Sequence, residues 1–64
     1  MNIKNYDKMD PYMLLSIANL KLRDYYSDLD NMCDDLDIKK EVIEDRLKAC
    51  GYIYNSENNQ FVAE

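Results

Sequence analysis

The segment from Ser27 to Tyr52 narrows the folds open to this 64-residue chain more than any other part of it. Its apolar residues recur at helical spacing on both sides of Asp37, which predicts two helices joined by a short turn. These apolar residues are Leu29, Met32, Cys33, Leu36, Ile38, Ile43, Leu47 and Cys50. Because Gly51 then supplies a stop for the second helix, the whole pattern is typical of a helix-turn-helix.

Capping residues set the limits of the predicted helices. Asp10 and Pro11 form a strong start for helix 1, because Asp accepts free amide protons and Pro suits the first helical position. Ser27 with Asp30 resembles a shortened capping box and predicts the start of helix 2. Beyond Gly51, aromatic and β-branched residues flank the polar stretch S-E-N-N, which indicates a β-hairpin. The predicted ranges are 10–24, 27–36 and 39–50 for the helices and 52–63 for the hairpin.

The same spacing predicts how the elements pack. The apolar stripe of helix 1 that should face the core consists of Leu14, Ile17, Ala18, Leu22 and Tyr25. Aromatic residues expected to pack the hairpin on the helices are Tyr52, Tyr54 and Phe61, and those expected to cover the flank of helix 1 are Tyr12, Tyr25 and Tyr26. Residues 1–8 are predicted to form a frayed lead. The predicted fold class is therefore mainly α, a single-domain three-helix bundle with a helix-turn-helix arrangement and a C-terminal β-hairpin, winged-helix-like in its order.

Several short segments resemble a family of small bacterial proteins of unknown function. They are D-P-Y-M-L-L-S, N-L-K-L-R-D, L-D-N-M-C, G-Y-I-Y and N-N-Q-F-V, and they extend over nearly the whole chain. This resemblance implies membership of the family and brings no activity, cofactor or partner with it. Independently, residues 32–48 are similar to the general helix-turn-helix motif. Asp37 stands where Gly is usual and Lys39 stands where a capping Ser, Thr or Asp is usual, so we expect a weak start of helix 3.

Composition argues against several functional classes. The chain has no His and no C-x-x-C pair, so a structural zinc site lacks ligands and a cysteine nucleophile lacks its usual base. The carboxylates are expected on exposed helix faces, so we predict no catalytic site, no metal site and no cofactor. Cys33 and Cys50 lie on apolar helix faces and are expected to be buried free thiols. Since no apolar run reaches the length of a membrane span and no signal peptide is visible, we expect a cytoplasmic protein without membrane contact.

Negative charge is concentrated in the predicted helix 2. Four aspartates in this helix and Asp37 directly after it give residues 27–38 a charge of −5, which equals the net charge of the whole chain. Because DNA binding draws on Lys and Arg that neutralise phosphates, this charge disfavours nucleic acid as a partner. Lys40, Glu44 and Lys48 follow one another at i, i+4 spacing, so these side chains are expected to pair with each other. No Lys or Arg occurs in the hairpin that would form a wing.

Two sets of residues are candidates for contact with a partner. On helix 1, Asn19, Lys21 and Arg23 lie beside the apolar stripe; the alternative is that Asn19 is solvated and Arg23 pairs with an aspartate of helix 2. On helix 3 the candidates are Lys39, Lys40, Glu44 and Lys48. The sequence favours a non-enzymatic module that acts through protein–protein contacts, with a protein partner or as a homo-oligomer. The alternatives are a DNA-binding regulator that uses helix 3 and an acidic DNA mimic that uses helix 2.

Overall fold

The computed structural model describes Tyr6 and residues 8–64. The described residues form three helices followed by an antiparallel hairpin, which confirms the predicted mainly α fold class. The elements are α1 (Pro11–Asp24), α2 (Leu29–Leu36), α3 (Lys40–Lys48), β1 (Tyr52–Asn55) and β2 (Gln60–Ala63). The lead predicted for residues 1–8 lies largely outside the described residues, which include Tyr6 and Lys8 of it.

Helix α1 begins where its capping residues predict. The Asp10 side chain accepts a hydrogen bond from the Tyr12 amide at 3.0 Å, and Pro11 occupies the first turn. The residues that α1 buries are Leu14, Ala18, Lys21 and Leu22. The expectation that Tyr25 continues the inward stripe is wrong, because its side chain is 69% exposed. Tyr25 follows the last helical residue with a φ of −125°, so the backbone leaves helical geometry there and the stripe ends.

Helix α2 starts at Leu29, later than predicted, because Asp28 and not Ser27 is its N-cap. Asp28 has extended backbone angles, and its carboxylate accepts a hydrogen bond from the Asn31 amide at 2.7 Å. Ser27 instead accepts a hydrogen bond from the Asn31 side chain at 2.9 Å. The turn after α2 passes through Asp37, whose φ of 57° is left-handed, as expected of the residue that takes the place of the usual glycine.

Helix α3 is shorter at both ends than predicted. It begins at Lys40, and Lys39 before it makes no side-chain capping bond, as expected of a lysine in the place of a capping Ser, Thr or Asp. The Lys39 amide donates a hydrogen bond to the Tyr6 hydroxyl at 3.2 Å, so the lead contacts the start of this helix. The helix ends at Lys48, because the turn that follows leads to Gly51, which has a left-handed φ of 86°.

The hairpin pairs β1 with β2 in antiparallel register, with Tyr54 opposite Phe61. The two rings meet edge to face with their centroids 5.6 Å apart, a favourable geometry for an aromatic pair. In the connection between the strands, the Asn55 side chain accepts hydrogen bonds from the amides of Glu57 at 2.9 Å and Asn58 at 3.4 Å. These bonds mimic a backbone turn and close the loop of the hairpin.

One apolar core joins the three helices to β2. Its buried members among the described residues are Leu14, Ala18, Leu22, Leu29, Met32, Cys33, Leu36, Ile38, Ile43, Leu47 and Phe61. The apolar residues of the helix-turn-helix pattern thus lie in the core as predicted, except Cys50, which is half-buried. Tyr52 and Tyr54 pack against the same core, which confirms their predicted role. The hairpin is therefore an integral part of the domain.

Candidate functional site

Asn19 joins α1 to the hairpin. Its Oδ1 accepts a hydrogen bond from the Phe61 amide at 2.7 Å, and its Nδ2 donates to the Phe61 carbonyl at 3.1 Å. The Gln60 side chain donates in turn to the Asn19 carbonyl at 3.0 Å. Asn19 is half-buried by these contacts and is not solvated. Its amide holds the backbone of β2 against α1, which is a structural use of a residue that sequence reasoning placed among the partner contacts.

Asn59 makes a second link between the hairpin and α1. Its Nδ2 donates to the carbonyls of Leu22 and Tyr26, both at 2.9 Å, and its Oδ1 accepts from the Tyr54 hydroxyl at 2.6 Å. Its φ of 53° is left-handed, a conformation that Asn adopts more readily than most residues. Sequence reasoning missed this link, because polarity alone assigned the stretch to a solvated turn. The available signal was a run of three amide side chains, Asn58, Asn59 and Gln60, that leads into the predicted strand.

The basic candidates of α1 are engaged within the fold. Lys21 is buried, and its Nζ lies 4.8 Å from the centroid of the Tyr25 ring, within cation–π range. Arg23 pairs with Asp24 of the same helix at 3.0 Å rather than with an aspartate of α2. Through its side-chain hydrogen bonds, this pair raises the pKa of Arg23 and lowers the pKa of Asp24. Because both side chains are well exposed, the pair adds little stability.

The ion pairs predicted between Lys40, Glu44 and Lys48 along α3 are replaced by other contacts. Lys40 pairs with Asp30 of α2 at 2.9 Å, and the hydrogen bond and charge of Asp30 raise the pKa of Lys40. Glu44 and Lys48 border a cleft of about 290 Å³ between α3 and the hairpin. The cleft is lined by Glu44, Asp45, Lys48, Ile53, Tyr54 and Phe61. Two carboxylates and one lysine therefore surround an apolar floor, whereas a phosphate site needs an excess of positive charge.

Several aspartates in and around α2 bond to other groups of the fold. Asp35 accepts a hydrogen bond from the Tyr26 hydroxyl at 2.5 Å, which raises the pKa of that hydroxyl. Asp28 caps its own helix, and Asp30 binds Lys40 across to α3. Three of the five aspartates thus have partners within the fold, and Asp34 and Asp37 are exposed.

The two cysteines remain free thiols, as predicted. Cys33 is buried in the core, and this desolvation, with a smaller contribution from the charge of Asp30, raises the pKa of its thiol to about 11. A thiol that stays protonated at neutral pH is a poor nucleophile and a poor metal ligand. Cys50 is half-buried at the end of the α3 segment.

The outward side of α1 carries large apolar side chains that the fold leaves exposed. Tyr12 is 60% exposed, Met13 is 57% exposed and Leu20 is 45% exposed, so Tyr12 does not cover the helix flank as predicted. Ile17 is half-buried against the core. Met13, Ile17 and Leu20 follow one another at i, i+4 and i+7, and so lie along one side of the helix. We call these three residues the α1 outer stripe.

No helix in the described part of the chain has the length and apolar character needed to cross a membrane. Within the same residues, no group of three or more His, Cys, Asp or Glu side chains is placed to hold a metal ion. Two surface features stand out among the described residues: the cleft beside α3, and the α1 outer stripe.

Comparison with known proteins gives one match. The family model described as "Domain of unknown function (DUF4250)" matches residues 8–61, which include all three helices and both strands except the end of β2. No curated protein and no solved structure matches significantly. Because the matched residues make up most of the 64-residue chain, this protein belongs to the DUF4250 family, a domain of unknown function.

Proposed function

We propose that this protein is a cytoplasmic, non-enzymatic module that acts through protein–protein contacts made by the α1 outer stripe. The observation that carries the proposal is the exposure of Met13 and Leu20 on a helix whose opposite side is fully buried. Exposed apolar residues grouped on one helix face are typical of surfaces that bind another protein. The free thiols of Cys33 and Cys50 are in keeping with a reducing compartment.

The distribution of charge supports the same surface. Residues 11–24 carry two basic side chains, Lys21 and Arg23, and one acidic side chain, Asp24, which gives a net charge of +1. Residues 27–38 carry −5. Removing water from charged groups costs free energy unless they are paired, so a partner covers α1 at a lower cost than α2.

The alternative of a DNA-binding regulator has weaker support. The order of three helices and a hairpin is that of a winged helix, and Lys39 and Lys48 are exposed at the two ends of α3. Lys40, however, is already paired with Asp30, and two carboxylates line the same cleft as Lys48. A phosphate that approaches α3 would therefore meet negative charge beside Lys40 and Lys48.

The proposal is tested by capture of a partner with two matched variants. The first variant carries Met13→Glu and Leu20→Glu in the α1 outer stripe. The control carries Ser56→Glu and Asn58→Glu, which add the same charge to exposed positions in the hairpin loop. Circular dichroism checks that both variants keep the helical content of the wild type.

The expected result is that the wild type and the loop control bind the same protein at a fixed stoichiometry, either a different protein or another copy, while the stripe variant loses binding. Equal binding by all three chains, or none by the wild type, contradicts the proposal. A salt titration of binding to random duplex DNA tests the alternative function. Affinity for DNA at low ionic strength would support DNA binding by α3 if the double variant Lys39→Glu, Lys48→Glu removes that affinity.

A further inference from the structure

We infer that the outer edge of β1 binds an extended peptide segment of another protein, which adds a third strand to the hairpin and places a basic side chain in the cleft beside α3. This surface is separate from the α1 outer stripe, so it goes beyond the proposed function and does not depend on it. Three features of the molecule support it: open backbone groups on β1, the cleft that borders them, and the charge of that cleft.

The backbone of β1 leaves hydrogen-bonding groups open on its outer edge. Directly opposite residues of an antiparallel pair alternately exchange two backbone bonds and none. Phe61 gives its amide and its carbonyl to the Asn19 side chain, so the pair that it forms with Tyr54 is one without such bonds. The bond from the Glu64 amide to the Gly51 carbonyl at 2.8 Å fits the same alternation. The amide and carbonyl of Tyr54 therefore point away from β2.

The same alternation applies two residues earlier, at Tyr52, which lies opposite Ala63. The outward amides and carbonyls of Tyr52 and Tyr54 form no hydrogen bond among the described residues, where the sheet has two strands. Outward groups at i and i+2 are those to which a further strand bonds. An extended peptide can therefore pair with β1 through its backbone, whereas the Asn19 side chain already occupies the outward groups of β2 at Phe61.

The cleft between α3 and the hairpin borders this edge. Its lining from the hairpin consists of Ile53, Tyr54 and Phe61. Because successive residues of a strand point to opposite faces, a cleft that touches both Ile53 and Tyr54 extends along the edge of β1. In an added antiparallel strand, the residue opposite Tyr54 would face the cleft. Its neighbour would lie beside Ile53, which is 40% exposed, so the added strand gains contacts on both faces.

The charge of the cleft selects a basic peptide. Glu44 and Asp45 border the cleft together with Lys48, so two acids and one base give a local charge of −1. Among the described residues, neither of these carboxylates forms an ion pair. No Lys or Arg follows Lys48 in the sequence, so the hairpin offers them no cation. A Lys or Arg side chain opposite Tyr54 would supply the missing positive charge.

The same charges disfavour a second copy of the chain as the occupant. Two copies joined edge to edge through β1 would each bring a net charge of −5 and the same two cleft carboxylates. Their hairpins contain no Lys or Arg to offset these charges. The occupant is therefore a different protein, with an extended segment in which a basic residue and an apolar residue are neighbours.

Amide hydrogen exchange of the free 64-residue chain tests whether the edge is open. We expect the amides of Tyr52 and Tyr54 to exchange at least about 10-fold faster than those of Ile53 and Val62, which the alternation bonds to each other. Equal protection of all four amides would overturn the inference, because the edge of β1 would already be covered.

Titration of the isotope-labelled chain with three blocked peptides, followed by NMR, tests binding. The probe is T-V-R-V-T. One control has Glu in place of Arg, and the other is N-methylated at Arg and cannot form the central backbone bonds. A strand this short is expected to bind weakly, so the titration extends to about 5 mM. The probe alone should shift the amide signals of Tyr52 and Tyr54 and slow their exchange. No shift there, or equal shifts with the N-methylated peptide, would overturn the inference.

Charge reversal tests the role of the cleft. Glu44→Lys with Asp45→Lys should weaken binding of the probe at least about 10-fold and favour the glutamate peptide instead. The matched control, Asp34→Lys with Glu41→Lys, reverses two exposed acids that do not line the cleft. At physiological ionic strength, which screens distant charges, the control should keep the affinity within about twofold. Equal affinities of the two double variants for the probe would refute the cleft as the site of the basic side chain.

The stripe variant separates this surface from the proposed function. Met13→Glu with Leu20→Glu should bind the probe as the wild type does, because neither residue lines the cleft. Loss of probe binding in this variant would show that the peptide occupies the α1 outer stripe, and the inference would be refuted. If the wild type does not bind the probe while the α1 outer stripe still captures a partner, the inference fails and the proposed function stands.

Discussion

The helices α1 and α2 belong to one small domain, but the side chains on their outward sides differ in polarity. In α2 every apolar residue is buried and the outward side is acidic. In α1 apolar residues lie on both sides, with Leu14 at 0% exposure and Leu20 at 45%. The core requires the apolar residues of α2 and the inward residues of α1. It does not require Met13 or Leu20, whose side chains are 57% and 45% exposed, and this exposure is the observation behind the proposed protein contact.

We expect the largest effect on the free energy of unfolding from a comparison of two leucines of α1, the buried Leu14 and the exposed Leu20. Leu14→Ala leaves a cavity in the core and should lower the free energy of unfolding by about 3 kcal/mol. Leu20→Ala should change it by less than about 0.5 kcal/mol, because half of that side chain is already in water. Urea denaturation at a concentration where the protein is monomeric measures both. Similar losses from the two variants would show that the stripe is part of the core after all.

Cysteine alkylation tests whether the inward side of α2 is sealed. With the pKa of Cys33 raised from 9.0 to about 11, its thiolate fraction at pH 8 falls about 100-fold, and burial slows the reagent further. Iodoacetamide should therefore modify Cys50 first and reach Cys33 after unfolding. Equal rates for the two thiols in the folded protein would mean that α2 opens readily.

The raised pKa of Cys33 also determines whether the free energy of unfolding rises or falls with pH. Because folding raises the pKa of Cys33, its contribution to the free energy of unfolding is fully present below pH 9 and is lost as the pH rises toward 11. Urea denaturation across this alkaline interval should show a smaller loss of stability for Cys33→Val than for the wild type. An unchanged slope would show that the thiol is not desolvated.

A smaller effect is expected where α1 holds the hairpin. Asn19→Ala removes both hydrogen bonds to the Phe61 backbone and leaves a partly buried amide and carbonyl without partners. We expect a loss of about 1–2 kcal/mol in the free energy of unfolding, measured by urea denaturation. Asn58→Ala is the matched control, since its side chain is exposed in the loop, and it should have almost no effect. An equally small effect at position 19 would remove the structural role assigned to its amide.

The smallest effect concerns the start of α2. Asp28→Ala removes the N-cap and should cost about 1 kcal/mol, whereas Ser27→Ala should cost less than half as much. Thermal unfolding of the two variants provides the comparison. A larger loss for Ser27→Ala would restore the capping box that the sequence indicates.

The part of the structure that follows from local spacing was predictable. Period and capping predicted three helices, the glycine stop and most of the core, and a left-handed Asp37 followed from its place in the motif. The exposure of Tyr25 was missed although the predicted end of helix 1 at Asp24 matches the structure, because the apolar stripe was extended one residue past that end, where the backbone has left helical geometry.

Contacts between distant residues were also beyond sequence reasoning. Asn19 bonds to a backbone 42 residues away, and Lys40 selects Asp30 of another helix over Glu44 of its own. Such choices depend on how helices are placed against each other, and polarity carries no information about that placement. As a result, the sequence identified exposed polar residues as candidates for partner contact, whereas the fold uses several of them internally and exposes apolar ones.

The bond between Asn19 and Phe61 also has a consequence for aggregation. A two-stranded sheet has two edges, and each offers unpaired amides and carbonyls to strands of other molecules. Asn19 takes both groups that Phe61 presents on the outer edge of β2. An incoming strand would have to displace that side chain before it could extend the sheet. A single asparagine of a helix therefore blocks the pairing position of Phe61 to fibril-like growth.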